Sequence, residues 1–156
     1  MNYQILEHSG DLKIKVWGKS LEELFKNSAE AMYGAACGRK FKIQKCLPVP
    51  ITIGISKIPY RIAKCKIKEV VIKGSDYENL LINFLNELLY LSDTQNKGFY
   101  PQNLVFGKKG DNLTLSANLL PFPFLIPELE IKSATYHNLK VEKKDDLYQT
   151  TIVFDI

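Results

Sequence analysis

An α+β fold, a largely antiparallel β-sheet carrying two packed helices, is predicted for this chain of 156 residues by three features of its sequence. Two long apolar stripes recur at helical spacing, several short runs alternate apolar and polar residues, and turn-forming residues separate those runs. Neither a repeat nor a low-complexity linker interrupts the pattern, so residues 1–156 are expected to form a single domain.

The first alternation, Leu12, Ile14 and Val16, predicts a strand with one buried face. Ser20 and Glu23 follow at the spacing of a capping box, in which each side chain accepts the other residue's free backbone N–H. They open a helix with Leu21, Leu24, Phe25, Ala29, Met32 and Tyr33 on its apolar face, and Gly34 or Gly38 is expected to end it. Segments 49–55 and 62–72 predict another strand pair, with Pro59 in the connection. Ser75 and Glu78 repeat the capping device ahead of Leu80, Leu81, Phe84, Leu85, Leu88, Leu89 and Leu91, a second helix. Three more strands are predicted from Leu113 to Leu119, from Ile131 to Val141, and over Thr150, Ile152 and Phe154. Gly110-Asp111-Asn112 and the run from Lys143 to Asp146 supply hairpin loops.

Hydrophobic residues make up 46% and charged residues 24% of the chain, which excludes intrinsic disorder. No stretch approaches the run of about 18 apolar residues that spans a membrane. The opening MNYQILEHSGD has acids and a histidine where a secretory signal has its apolar core, so a cytoplasmic protein is expected. Cys37, Cys46 and Cys65 form no CxxC pair and cannot all pair with one another, which argues against a disulfide framework. The net charge of +4 conceals an asymmetry: positions 39–73 hold ten Lys or Arg against the single acid Glu69, and the remainder holds 11 bases against 16 acids. Such a sector can attract phosphates or an acidic partner. A solvated, lysine-rich sheet face is the plainer reading, because arginines and interleaved aromatics are few.

No GxSxG, Walker, HExxH or zinc-spaced cysteine signature is present. Cys37 with His8 or His137 could form a nucleophile pair, but nothing local activates the thiol, and an inert thiol is the simpler reading. Polar chemistry concentrates in Glu7-His8-Ser9-Gly10-Asp11 and in Phe154-Asp155-Ile156. In the first, Gly10 lets the backbone turn and present Asp11. In the second, the carboxyl group of Ile156 adjoins the Asp155 side chain, and carboxylates held so close repel unless a cation or base lies between them. Convergence of these oxygens with Asp11 would suit calcium or magnesium, whereas a solvated terminus is the alternative.

These blocks resemble the archease family. The matching residues are Leu6-Glu7-His8-Ser9-Gly10-Asp11 with the run from Gly18 to Phe25; Leu80-Leu81 with the run from Leu85 to Leu91; the run from Ile131 to His137; and the closing Val153-Phe154-Asp155-Ile156. They occur along the whole chain in family order. The resemblance implies a metal site at Asp11, Asp155 and Ile156 that holds a divalent metal ion, calcium above all, and a role in activation for Lys132 and His8. It implies a non-catalytic cofactor of the 3′-phosphate RNA ligase of tRNA splicing and RNA repair, with tRNA reached only through the ligase and no membrane partner. The ligase would carry the manganese and the histidine that takes up GMP, and the cofactor would promote that guanylylation and sustain turnover. A chaperone-like modulator of another tRNA-modifying enzyme, such as a methyltransferase, is the second reading. Departures from the family pattern are Ser9-Gly10 in place of Thr-Ala, Phe84 in place of Trp, a longer segment 39–73, and a Pro-rich stretch 118–127. Phe122, Phe124, Leu125 and Ile126 of that stretch read as exposed, able to cover the core or contact a partner.

Overall fold

A computed structural model describes residues 2–38, 67–123 and 127–156. Their element order is β1 (Tyr3–His8), β2 (Leu12–Gly18), α1 (Leu21–Cys37), β3 (Lys68–Gly74), α2 (Tyr77–Gln95), β4 (Lys97–Lys109), β5 (Asn112–Pro123), β6 (Ser133–Thr135), β7 (Glu142–Lys144) and β8 (Leu147–Asp155). The expected strand at 49–55, most of that at 62–72, and the bulk of the basic sector lie outside the described residues, as do Cys46 and Cys65.

Both helices are capped by their own sequence, one of them differently from expectation. Ser20 is the N-cap of α1, and its Oγ accepts the Glu23 N–H at 3.1 Å. Gly34 lies inside the helix, and Gly38, at φ +81°, ends it. In α2 the capping pair is shifted by one residue from Ser75 and Glu78. Asp76 Oδ1 accepts the Asn79 N–H at 2.7 Å, and Asn79 Oδ1 accepts the Ser75 N–H at 2.9 Å. A carboxylate is the stronger acceptor at the positive end of a helix. The shift leaves Glu78 for a long-range bond, its Oε1 accepting the Val141 N–H at 3.0 Å.

The strands divide into two sheets where one was expected, and every pairing is antiparallel. The larger sheet runs β1-β2-β8-β6, with β7 also paired to β8; the smaller runs β3-β5-β4. Leu12, Ile14 and Val16 lie across from Phe154, Ile152 and Thr150 and are buried with them, as the alternation predicts. The β7–β8 turn has positive φ at Asp145 and Asp146, which matches the right-handed twist of the flanking strands. The predicted strand over 131–141 is cut short: only Ser133–Thr135 pairs with β8, and Asn138, at φ +52°, closes a turn in which the Leu139 N–H bonds to the Tyr136 carbonyl at 3.1 Å. Leu139, beyond Asn138, is buried against the same core.

The two sheets and both helices share one continuous core. Helix α1 packs on β2 and β4, and α2 on β3, β4 and β6, so each helix bridges both sheets. A device not evident in the sequence reading occurs twice. Strands β2 and β3 each end on a glycine, Gly18 or Gly74, whose α-carbon lies against the backbone of the fourth residue of the following helix, Leu24 or Leu80. Aligning Gly-Lys-Ser-Leu-Glu-Glu-Leu with Gly-Ser-Asp-Tyr-Glu-Asn-Leu reveals the match, cap included. The chain thus contains two equivalent strand–helix units, where no repeat was expected.

Phe122 corrects another expectation. Only 1% exposed, it lies across from Gly98 and edge-on to Tyr33 at a centroid distance of 5.2 Å. Phe124, Leu125 and Ile126 lie outside the described residues. Buried Tyr33 is held by Ser92 Oγ at 2.8 Å and accepts the Phe99 N–H at 3.1 Å. Burial pushes its phenol from the ordinary 10.0 up to about 12, against the opposing effect of those hydrogen bonds. Because the folded state holds this proton more tightly than the unfolded chain does, the contribution is intact below pH 10 and is lost as pH rises from there to 12. A loss of about 3 kcal/mol is expected over that window. Denaturant titrations from pH 9 to 12 check it, because Tyr33→Phe must flatten that part of the wild-type profile.

Candidate metal and partner site at one end of the larger sheet

The predicted site residues gather at the end of the larger sheet where β2 begins and β8 finishes. Strand β1 carries a bulge between Ile5 and Glu7, just before the turn, and a bulge of this kind bends a strand end. His8 closes β1, its backbone paired with Leu12. Ser9, Gly10 and Asp11 form the bend between the strands. A methyl group at Gly10 would meet no heavy atom within 4 Å, so an alanine would fit at this position.

Asp11 is exposed and immediately precedes buried Leu12, which pairs with Phe154. The same register continued by one residue sets Asp11 opposite Asp155. Asp155 is also exposed, on the face opposite Phe154, and its other neighbour in the sheet is Ser133. The Lys132 N–H donates to the Asp155 carbonyl at 2.8 Å, which brings the exposed Lys132 to this sheet end. Ile156, next in the chain, is half-buried and packs against the core. The structure therefore brings Asp11, Asp155, Ile156 and Lys132 to one end of the sheet, with the His8 backbone across the turn.

Among the described residues, no group of three or more His, Cys, Asp and Glu side chains is placed to hold a metal ion. Among the described side chains Asp11 and Asp155 supply two carboxylates at this end, and the resemblance implies a third charged oxygen from the carboxyl of Ile156. Carboxylates in opposed positions on neighbouring strands destabilise each other, a cost that a hard cation relieves. A donor set made only of carboxylate oxygens would suit calcium or magnesium better than zinc.

A cavity of about 820 Å³ adjoins this end, between α1, α2 and residues 127–133. Met32, Leu89 and Ile131 give it apolar walls; Asn86, Lys132 and Ser133 stand where it meets the sheet end. Tyr136 and His137, just beyond β6, are both exposed.

Two antiparallel sheets bridged by two capped helices make a fold already seen in solved structures. The solution structure of a Methanobacterium thermoautotrophicum protein superposes with a TM-score of 0.68 at 20% identity, covering 99% of each chain. The crystal structure of a Thermotoga maritima archease, described as a possible chaperone, gives 0.54 at 21% identity, covering 98% of this chain and 96% of that one. These likenesses define the class of fold. In sequence, the model of the Archease protein family matches residues 3–156. The protein archease of Archaeoglobus fulgidus is 31% identical over 159 residues, covering 100% of both chains, and that of Methanosarcina barkeri is 29% identical over 162 residues, covering 99% of this chain and 95% of its own. The chain belongs to the archease family.

Proposed function

We propose that this chain is a metal-binding, non-catalytic protein cofactor that promotes guanylylation and turnover of the RNA ligase joining 3′-phosphate or 2′,3′-cyclic phosphate ends to 5′-hydroxyls. Family membership supports a cofactor role. The observation that carries the finer reading is the sheet register, which gathers two exposed carboxylates and Lys132 at one end of the larger sheet. Asp11, Asp155 and the Ile156 carboxyl would hold the ion, with calcium favoured by hard oxygen donors. A bound divalent cation would offset the negative charge of the neighbouring carboxylates. Lys132 adds a cation of its own, suited to a phosphate oxygen or a partner carboxylate.

The chaperone-like reading drew on an exposed apolar Pro-rich stretch, and among its described residues Leu119, Leu120 and Phe122 are buried. That weakens the surface it would use. The two readings separate in one assay: the protein is added to a purified 3′-phosphate ligase with labelled GTP, and the rate of ligase guanylylation is followed. A rise of about tenfold or more is expected on addition, falling most of the way back with Lys132→Ala. An unchanged rate at saturating protein would remove the ligase assignment.

A further inference from the structure

The ladder alone holds Lys132 weakly. It precedes β6, a strand of three residues at the edge of the sheet, and a strand that short has few bonds to its neighbour. Its outer edge, however, is occupied. The side-chain amide of Asn86 accepts the Ala134 N–H at 2.8 Å and donates to the Ala134 carbonyl at 3.2 Å. Both main-chain groups of Ala134 face α2, as alternate residues of a strand do, and one primary amide bonds both as a further strand would. Ala134 is buried, so neither group has ready access to water.

Helix α2 secures the rest of this segment in the same way. Asn79 Nδ2 bonds to the Tyr136 hydroxyl, and Glu78 Oε1 accepts the Val141 N–H. Asn79 and Asn86 are seven residues apart, two helical turns on one face. Across β6, the Lys132 and Thr135 bonds to β8 complete the hold, the Thr135 Oγ1 donating to the Val153 carbonyl at 3.0 Å.

We infer that Asn86 is a positioning residue: its two bonds to Ala134 clamp β6 between α2 and β8 and thereby set where Lys132 stands beside Asp155. This inference rests on the activating role proposed for Lys132, and its test is arranged so that the two can fail separately.

Amide hydrogen exchange and ligase guanylylation are measured for Asn86→Ala, Asn86→Asp and Lys132→Ala, alone and with Asn86→Ala and Lys132→Ala combined. Asn86→Asp keeps the acceptor for the Ala134 N–H but sets a carboxylate oxygen against the Ala134 carbonyl, so it is expected to loosen β6 as Asn86→Ala does. In Asn86→Ala, exchange at Lys132 and Ala134 is expected to quicken by about tenfold or more, with the β2 amides unchanged. Stimulation of the ligase is expected to fall by roughly tenfold in the otherwise wild-type chain and by nothing further when Lys132 is already Ala. A purely structural asparagine would instead quicken exchange throughout the fold, the β2 amides included, and that result overturns the inference, as does unchanged exchange at Lys132 and Ala134. If Lys132→Ala leaves stimulation intact, the activating role of Lys132 is what fails, and exchange alone then decides whether Asn86 holds β6.

Discussion

Gly74→Ala and Gly18→Ala are each expected to lower the stability of the fold by about 3 kcal/mol, the upper part of the usual range for overpacking. A methyl group at Gly74 would lie 2.6 Å from the Leu80 amide nitrogen and 2.7 Å from its Cα; one at Gly18 would lie 2.6 Å from the Leu24 nitrogen. No rotamer change relieves these contacts, because the obstructing atoms are helix backbone rather than the end of a flexible side chain. Leu24 and Leu80 are themselves fully buried, so the helix cannot move off the strand without opening the core. Urea unfolding should show a lower midpoint with an unchanged slope. Gly10→Ala provides the control, since open space surrounds that position, and its effect should stay within about 0.5 kcal/mol. Wild-type midpoints for both Gly18→Ala and Gly74→Ala would show that strand and helix do not approach as described.

Asp11→Ala and Asp155→Ala are each expected to weaken calcium binding by roughly two orders of magnitude or more, since each removes a charged oxygen from a site with few donors. Both side chains are exposed and lie at strand ends, so thermal unfolding should barely change. Because one ion would be shared, the effects should not add: with either carboxylate gone, removing the second should cost little more. Titration calorimetry of the two single variants and the double variant decides this. Wild-type affinity in both single variants would sink the metal assignment, and fully additive losses would point to two independent weak sites.

Much of the fold could be read from periodicity, because Leu12, Ile14 and Val16 and their partners in β8 alternate at period two and the helical stripes recur at 3.6. What escaped was decided by competition among equivalent signals. Ser75 and Asp76 are adjacent caps, with Glu78 and Asn79 as adjacent partners, and the charge of Asp76 settles the helix start in a way that spacing cannot. The stretch from Ile131 to Val141 alternates in sequence but not in burial: Ile131, Ala134 and Leu139 are buried and His137 is exposed, because the turn at Asn138 re-aims the chain after only three paired residues. Division of the strands between two sheets, and the burial of Phe122 over Gly98, depend on long-range pairing that no local window contains. At the site, resemblance pointed to Asp11, Asp155, Ile156 and Lys132, and the sheet register then supplied their proximity. Asn86 lies inside a matching block, but its partner is the main chain of Ala134, and main-chain partners leave no motif.

The position of β8 within its sheet has a consequence for the order in which the molecule can assemble. Strand β8 lies between β2 and β6, so residues 12 and 154 must meet across the intervening sequence. Closing so long a loop is slow compared with forming a local hairpin or a strand–helix unit. During synthesis the outer backbone edge of β2 therefore waits unpaired, open to misplaced strands. The charged end forms only when β8 pairs with β2, which makes a completed Asp11–Asp155 row a mark of a larger sheet that has closed.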